Sequence, residues 1–147
     1  MSDRLELDTR ERSHMVNLAQ LEQLQQGVAS WNQWRDRHPE VSVDLSEADL
    51  SGLDLQQINL RSVDLTKANL SHANLSHADL SGAVLRQVDI SHADLSHAQV
   101  LDTPLTWADS RGTCFTQMRF TRLPKLSLHL ETSLMARGAI ALDPVES

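Results

Sequence analysis

Between Val43 and Arg122 the apolar and polar positions repeat every five residues. Counting in fives from Leu45 reaches Leu50, Leu55, Leu60, Leu65, Leu70, Leu75, Leu80, Leu85, Ile90, Leu95, Val100, Leu105, Ser110, Phe115 and Phe120, and only Ser110 breaks the apolar series. Two positions before each centre stands a smaller residue, most often alanine: Ala48, Ala68, Ala73, Ala78, Ala83, Ala93, Ala98 and Ala108. The residue between them is mostly Asp or Asn. The two after the centre are mostly Ser, His, Gly, Gln, Arg or Lys.

Neither regular element buries such a pattern. On a helix a step of five turns the side chain by about 140°, which spreads the leucines round the axis. On a flat strand a step of five alternates faces, so half of the leucines would meet water. All of them point inward only if each pentapeptide forms one short side of a coil and then turns a corner. A short fixed period of this kind predicts a solenoid, in which each unit stacks on its neighbours.

The units that begin at Ala48, Ala68, Ala73 and Ala93 read Ala, Asp or Asn, Leu, Ser, then Gly or His. They resemble the units of the pentapeptide repeat family. The resemblance covers residues 43–122, which is 80 residues or 16 units. It implies a mainly β solenoid, a right-handed quadrilateral β-helix of about four coils, with the central Leu and the preceding Ala facing inward. At a strand spacing of about 4.8 Å, four coils make a rod roughly 19 Å long. Its core would hold Leu50, Leu55, Leu60, Leu65, Leu70, Leu75, Leu80, Leu85, Ile90 and Leu95.

The flanks read as caps. Residues 1–14 are polar and mixed in charge, and are expected to fray. From about Met15 to Arg37, the residues Leu18, Leu21, Leu24, Val28, Trp31 and Trp34 recur at helical spacing. Pro39 biases His38 out of that helix. One helix of about 20 residues is therefore expected before the solenoid. Leu21, Leu24, Val28, Trp31 and Trp34 would bury on the first coil, because an open solenoid end exposes apolar core and unpaired backbone groups. The stretch from Gly27 to Arg35 resembles the leader helix of cyanobacterial members of the family. After Arg122 the register is lost. Leu126, Leu128 and Leu130 alternate as in a strand, whereas Leu130, Leu134 and Met135 suit a short helix before Gly138. Either would cover the last coil or pair with a second copy, and Asp143 to Ser147 reads as a tail. The organisation is a tail and capping helix over 1–42, the repeat over 43–122 and a C-terminal cap over 123–147.

Composition adds limits. The chain of 147 residues is one domain with formal net charge −7. It has no apolar run long enough to span a membrane. Its first 12 residues are charged and show no secretory pattern. The single cysteine, Cys114, falls at an outward position and has no internal disulfide partner, which suits a reducing cytoplasm. Phosphate loops, nucleophile elbows, CxxC and HExxH are absent. Carboxylates on a convex rod lie where nothing excludes water. The expectation is a protein that is not an enzyme and takes no cofactor.

Positions 20 apart should stack, which draws columns along the rod. Acids are spread over several columns and diluted by Asn. Four of the seven histidines form two stacked pairs, His72 with His92 and His77 with His97, on neighbouring sides. Such pairs could bind a transition metal or titrate together near pH 6. Residues 43–102 hold nine acids against Arg61, Lys67 and Arg86. Residues 103–125 reverse the balance, with Asp109 against Arg111, Arg119, Arg122 and Lys125. Trp107 falls outward beside these arginines, the composition of a protein contact. Trp107, Arg111, Arg119 and Arg122 are therefore the candidate partner-binding residues.

The leading reading is a protein-interaction or scaffolding module, monomeric or homodimeric, with no direct nucleic-acid contact because its shaft is acidic. A second reading comes from the resemblance: some family members are acidic rods that mimic DNA and occupy a type II topoisomerase such as gyrase. A third is a metal or pH response through His72, His92, His77 and His97.

Overall fold

The computed structural model describes residues 18–107 and 109–145. The expected fraying of residues 1–14, a helix start at Met15, the inward Ala108 and the last two residues of the tail lie outside the described residues. The backbone returns over itself every 20 residues. Parallel bridges join Asp44 to Asp64, Asp64 to Val84, Asn69 to Asp89, and Asp94 to Cys114. Four pentapeptides thus complete one circuit. The ten predicted core residues from Leu50 to Leu95 are each at most 3 % exposed. The small residues before them are buried as well, with Ala78 and Ala98 at 0 %.

The unit centred on Leu65 shows the backbone bonds that hold the regular circuits. Its central N–H donates to Val84 C=O (2.9 Å) and Lys67 N–H to Arg86 C=O (2.8 Å) in the next circuit. Asn69 N–H donates down to Ala48 C=O (2.9 Å), and Ala68 N–H closes a turn on Leu65 C=O (2.8 Å). The remaining donor, Thr66 N–H, is met by the Asp64 carboxylate, Oδ1, at 2.9 Å. No donor of the unit is left over, as buried or half-buried backbone requires. The second residue after the centre has positive φ in every unit except those centred on Leu105 and Phe120, as at Lys67 (59°), His72 (60°), His77 (59°) and His92 (57°). Positive φ at the third residue of a four-residue turn is the type II geometry. That corner is what a period of five demands.

The last circuit is less regular. Residues 103–107 carry no bridge to the circuit below, where Pro104 stands in the column of Asp44, Asp64 and Val84. A proline has no N–H to give and no side-chain oxygen to cap its turn. Beyond it, β1 (Gln99–Val100), β2 (Arg119–Thr121) and β3 (Ile140–Leu142) form a parallel sheet in that order. β3 begins a further layer, paired at Arg119 with Ile140.

Non-repeating segments pack on both ends. The single 20-residue leader helix is not observed. Residues 18–25 are helical, the chain breaks at Gly27 (φ 109°), and α1 (Val28–Arg37) follows. The apolar spacing runs through the break because both segments lie on the same coil end. Trp31 is fully buried and Leu24 nearly so, while Leu21, Val28 and Trp34 pack partly against the core. Leu18 remains 47 % exposed. At the other end the helical alternative holds: α2 (Leu128–Ala136) buries Leu134, and its start is capped by Ser127 Oγ. The alternating leucines 126–130 do not form a strand; the strand of this segment is β3.

Candidate functional site

The Asp and Asn column is a turn device first. Oδ1 of Asp49 accepts the backbone N–H of Ser51 (3.1 Å) and its hydroxyl (2.6 Å). Asn69 does the same for Ser71, Asn74 for Ser76 and Asp89 for Ser91. One acceptor oxygen suffices, so Asp and Asn interchange. The Ser51 hydroxyl and amide hold the Asp49 carboxyl below its ordinary value. Burial pushes Asp79 upward, but Ser81 and Arg61 outweigh it and the net shift is down.

The open edge of the first circuit is closed by side chains of the cap. Trp31 Nε1 donates to Asn59 C=O (2.8 Å), and Asn32 both donates to Gln57 C=O (3.1 Å) and accepts from Asn59 N–H (2.8 Å). Gln20 Nε2 donates to Ser42 C=O (3.1 Å) while its Oε1 accepts Asp44 N–H (2.8 Å). Arg35 donates to Arg61 C=O, and burial lowers its pKa. These side chains supply the bonds that a preceding circuit would have made.

The two histidine columns form as expected. His72 and His92 lie 5.0 Å apart with ring planes 12° from parallel, and His77 and His97 lie 4.7 Å apart at 2°. Rings stacked this way run their nitrogen lone pairs side by side rather than toward one point. Among the described residues no group of three His, Cys, Asp or Glu is placed to hold a metal. The column of His72 and His92 ends under Gly112, where a Cβ would lie 2.3 Å from His92 Nδ1.

The four predicted contact residues each have their own surroundings. Trp107 is half-buried and stacks on Phe115 at 5.6 Å, with the Arg137 guanidinium 4.5 Å over the same ring. Arg111 pairs with Asp109 at 2.7 Å and holds that carboxyl down to about 2 through its hydrogen bonds. Arg122 pairs with Glu131 (2.6 Å) and Asp143 (2.9 Å), tying β2 to α2 and to the end of β3. Arg119 points outward from β2. Of the four cations of residues 103–125, Arg122 is thus met by acids of the C-terminal segment and Arg111 by its own neighbour Asp109. Ser110, the break in the apolar series, offers its C=O to Arg137 at 3.0 Å, and Thr113 C=O receives the same guanidinium at 2.7 Å. The role of Arg137 had no signal in the sequence, because it lies outside the repeat.

Where the fourth circuit loses its neighbour, a groove of about 490 Å³ opens between residues 103–106 and 121–130. Leu105, Leu123, Pro124, Leu126 and Leu130 make its walls mostly apolar, with Lys125 on its border. Cys114, also exposed, lies in hydrogen-bond contact with Thr116 Oγ1.

A family model described as pentapeptide repeats matches residues 44–82 and 68–100, with eight copies. Among solved structures, the chain is similar to alr5209, a pentapeptide repeat protein from Nostoc PCC 7120. Identity is 25 %, over 75 % of this chain and 93 % of that one, with a TM-score of 0.56. A pentapeptide repeat protein from the Arabidopsis thaliana thylakoid lumen, AT2G44920, is 29 % identical over 65 % of this chain and 64 % of its own, with a TM-score of 0.44. The plasmid-mediated fluoroquinolone resistance protein QnrB1 is 23 % identical over 65 % and 64 %, with a TM-score of 0.28. No curated protein matches.

Proposed function

Residues 44–100 belong to the pentapeptide repeat family, and on that premise we propose that the chain is a non-enzymatic protein-interaction module, a right-handed quadrilateral β-helix that presents fixed columns of side chains to a protein partner. The 20-residue pairing supports the quadrilateral, and parallel crossovers strongly favour the right hand. One observation carries the functional reading. Along the regular shaft the units satisfy their backbone within the stack and spend Asp or Asn on their own turns, so what remains for a partner is chiefly the side chain at the second position after each centre, set about 5 Å apart along the rod. Such a surface can be read only by a partner that spans several circuits. The thiol of Cys114 fits a cytoplasmic setting.

Electrostatics favours this over DNA mimicry. The acids are spread over several columns and diluted by Asn, and the capping oxygens of Asp49, Asp89 and Asp94 already accept hydrogen bonds from their own turns. The test is capture from the source cell with the full chain, followed by rebinding of the purified partner. A saturable complex that survives nuclease treatment supports the reading. Absence of any saturable partner, or inhibition of gyrase supercoiling at micromolar protein, overturns it.

A further inference from the structure

On the side of the rod centred on Leu45, Leu65, Leu85 and Leu105, the stacking stops without a cap. In the circuits below, Leu45 N–H donates to Asp64 C=O, Glu47 N–H to Thr66 C=O, Leu65 N–H to Val84 C=O and Lys67 N–H to Arg86 C=O. One layer higher Gln87 N–H still reaches Thr106 C=O (3.1 Å) while Leu85 N–H reaches no carbonyl among the described residues, and by the same 19-residue step Leu105 and Trp107 would donate to residues 124 and 126. Among the described residues neither N–H has an acceptor. The step that sends Asp64 N–H down to Val43 C=O would bring residue 124 onto Thr103 C=O, but residue 124 is a proline and has no N–H. Residues 123–126 instead close a turn of their own, Leu126 N–H to Leu123 C=O at 2.9 Å. The other parts of this end are covered: β3 lies on β2, Gln117 N–H reaches Gly138 C=O (2.8 Å), and Arg137 meets the carbonyls of Ser110 and Thr113. The uncovered edge is the one that borders the apolar groove.

We infer that this edge, Thr103 C=O with Leu105 and Trp107 N–H, takes up an extended segment of the partner protein as the missing side of a fifth circuit. The inference rests on the protein-interaction reading and names its site. A sheet edge recruits a strand through its free backbone groups, and pockets beside it select alternate side chains. The chain itself shows what fits. On this same side the layer above Val43 to Glu47 is Val63, Asp64, Leu65, Thr66 and Lys67, a small residue, an acid, a leucine and two polar residues. The occupant is a strand of that pattern, its leucine in the groove among Leu123, Leu126 and Leu130. Its acid meets Lys125, for which the described residues supply no carboxylate.

The test adds a blocked peptide of residues 62–67 to the ¹⁵N-labelled full chain. Shifts are expected at Leu105, Trp107 and residues 121–127, with about tenfold slower exchange of the two edge amides. Binding is lost when the peptide is N-methylated at its Asp, or when its Leu is replaced by Asp, and is weakened by Lys125→Glu in the protein. No shift at millimolar peptide overturns the inference. So does undiminished binding of the N-methylated peptide, which marks an apolar ligand site rather than strand addition. A concentration-dependent dimer that itself protects both amides also overturns it, by assigning the edge to a second copy. If the captured partner binds Lys125→Glu and Leu123→Arg chains of unchanged melting temperature as well as it binds the wild type, the groove is rejected while the interaction reading stands.

Discussion

At Asn69 one oxygen, Oδ1, accepts both the backbone N–H and the hydroxyl of Ser71, at 3.0 and 2.6 Å. Asn69→Ala leaves a half-buried donor unmet and is expected to lower stability by about 1–2 kcal/mol, whereas Asn69→Asp keeps the acceptor and costs little. Urea denaturation of the two variants separates these outcomes. Gly112 has φ 69°, and an added Cβ collides with the His92 ring. Gly112→Ala should therefore destabilise by about 1 kcal/mol or more, and His92→Ala in the same chain should recover part of the loss, a coupling that a double-mutant cycle measures. Arg111 lowers the Asp109 carboxyl from 3.8 to about 2. A depressed carboxylate stabilises the fold above its unfolded value and loses that contribution as pH falls through its folded one. Stabilisation from this pair is thus complete above pH 3.8 and vanishes as pH falls through about 2. In Arg111→Ala the Asp109 midpoint, followed by carboxyl NMR, should rise toward 3.8.

Among the elements, α1 acts as a substitute circuit. Asn32 makes two bonds to the first coil edge and Trp31 a third. Asn32→Ala removes an acceptor for Asn59 N–H and a donor for Gln57 C=O. The expected loss is about 2–3 kcal/mol, with faster hydrogen exchange at Asn59 than at the corresponding Asp79. A merely hydrophobic plug would not show that asymmetry. At the far end the cap is mixed: β3 continues the sheet, α2 lies across the core, and Arg122 joins the two through Glu131 and Asp143.

For the whole molecule, stability is a sum over stacked circuits, each touching only its neighbours. Leu75 is fully buried in the middle of the shaft. Leu75→Ala is expected to cost about 2–5 kcal/mol, and native-state hydrogen exchange should show the added opening in the circuits on either side before it reaches the ends. A flat response along the rod would mean that the core is not arranged in layers.

The repeat was legible because its period is written in every unit. The inward Leu and Ala, the stacking of positions 20 apart and the histidine pairs all follow from translating one local conformation. The Asp and Asn positions were visible as a pattern, but their work as turn caps needed the positive φ two residues after each centre, which brings Oδ1 onto the following amides. The ends were legible only as apolar stripes. The break at Gly27, the pairing of Asn32 and Gln20 with edge backbone, and the neutralising of Arg122 by Glu131 and Asp143 depend on where non-repeating segments dock. The five-residue period of this chain was enough by itself to determine the coil, since no other backbone path buries the leucines. Only the tertiary structure decided which edge groups are left over at Leu105 and Trp107, because that depends on the path the chain takes once the repeat has stopped.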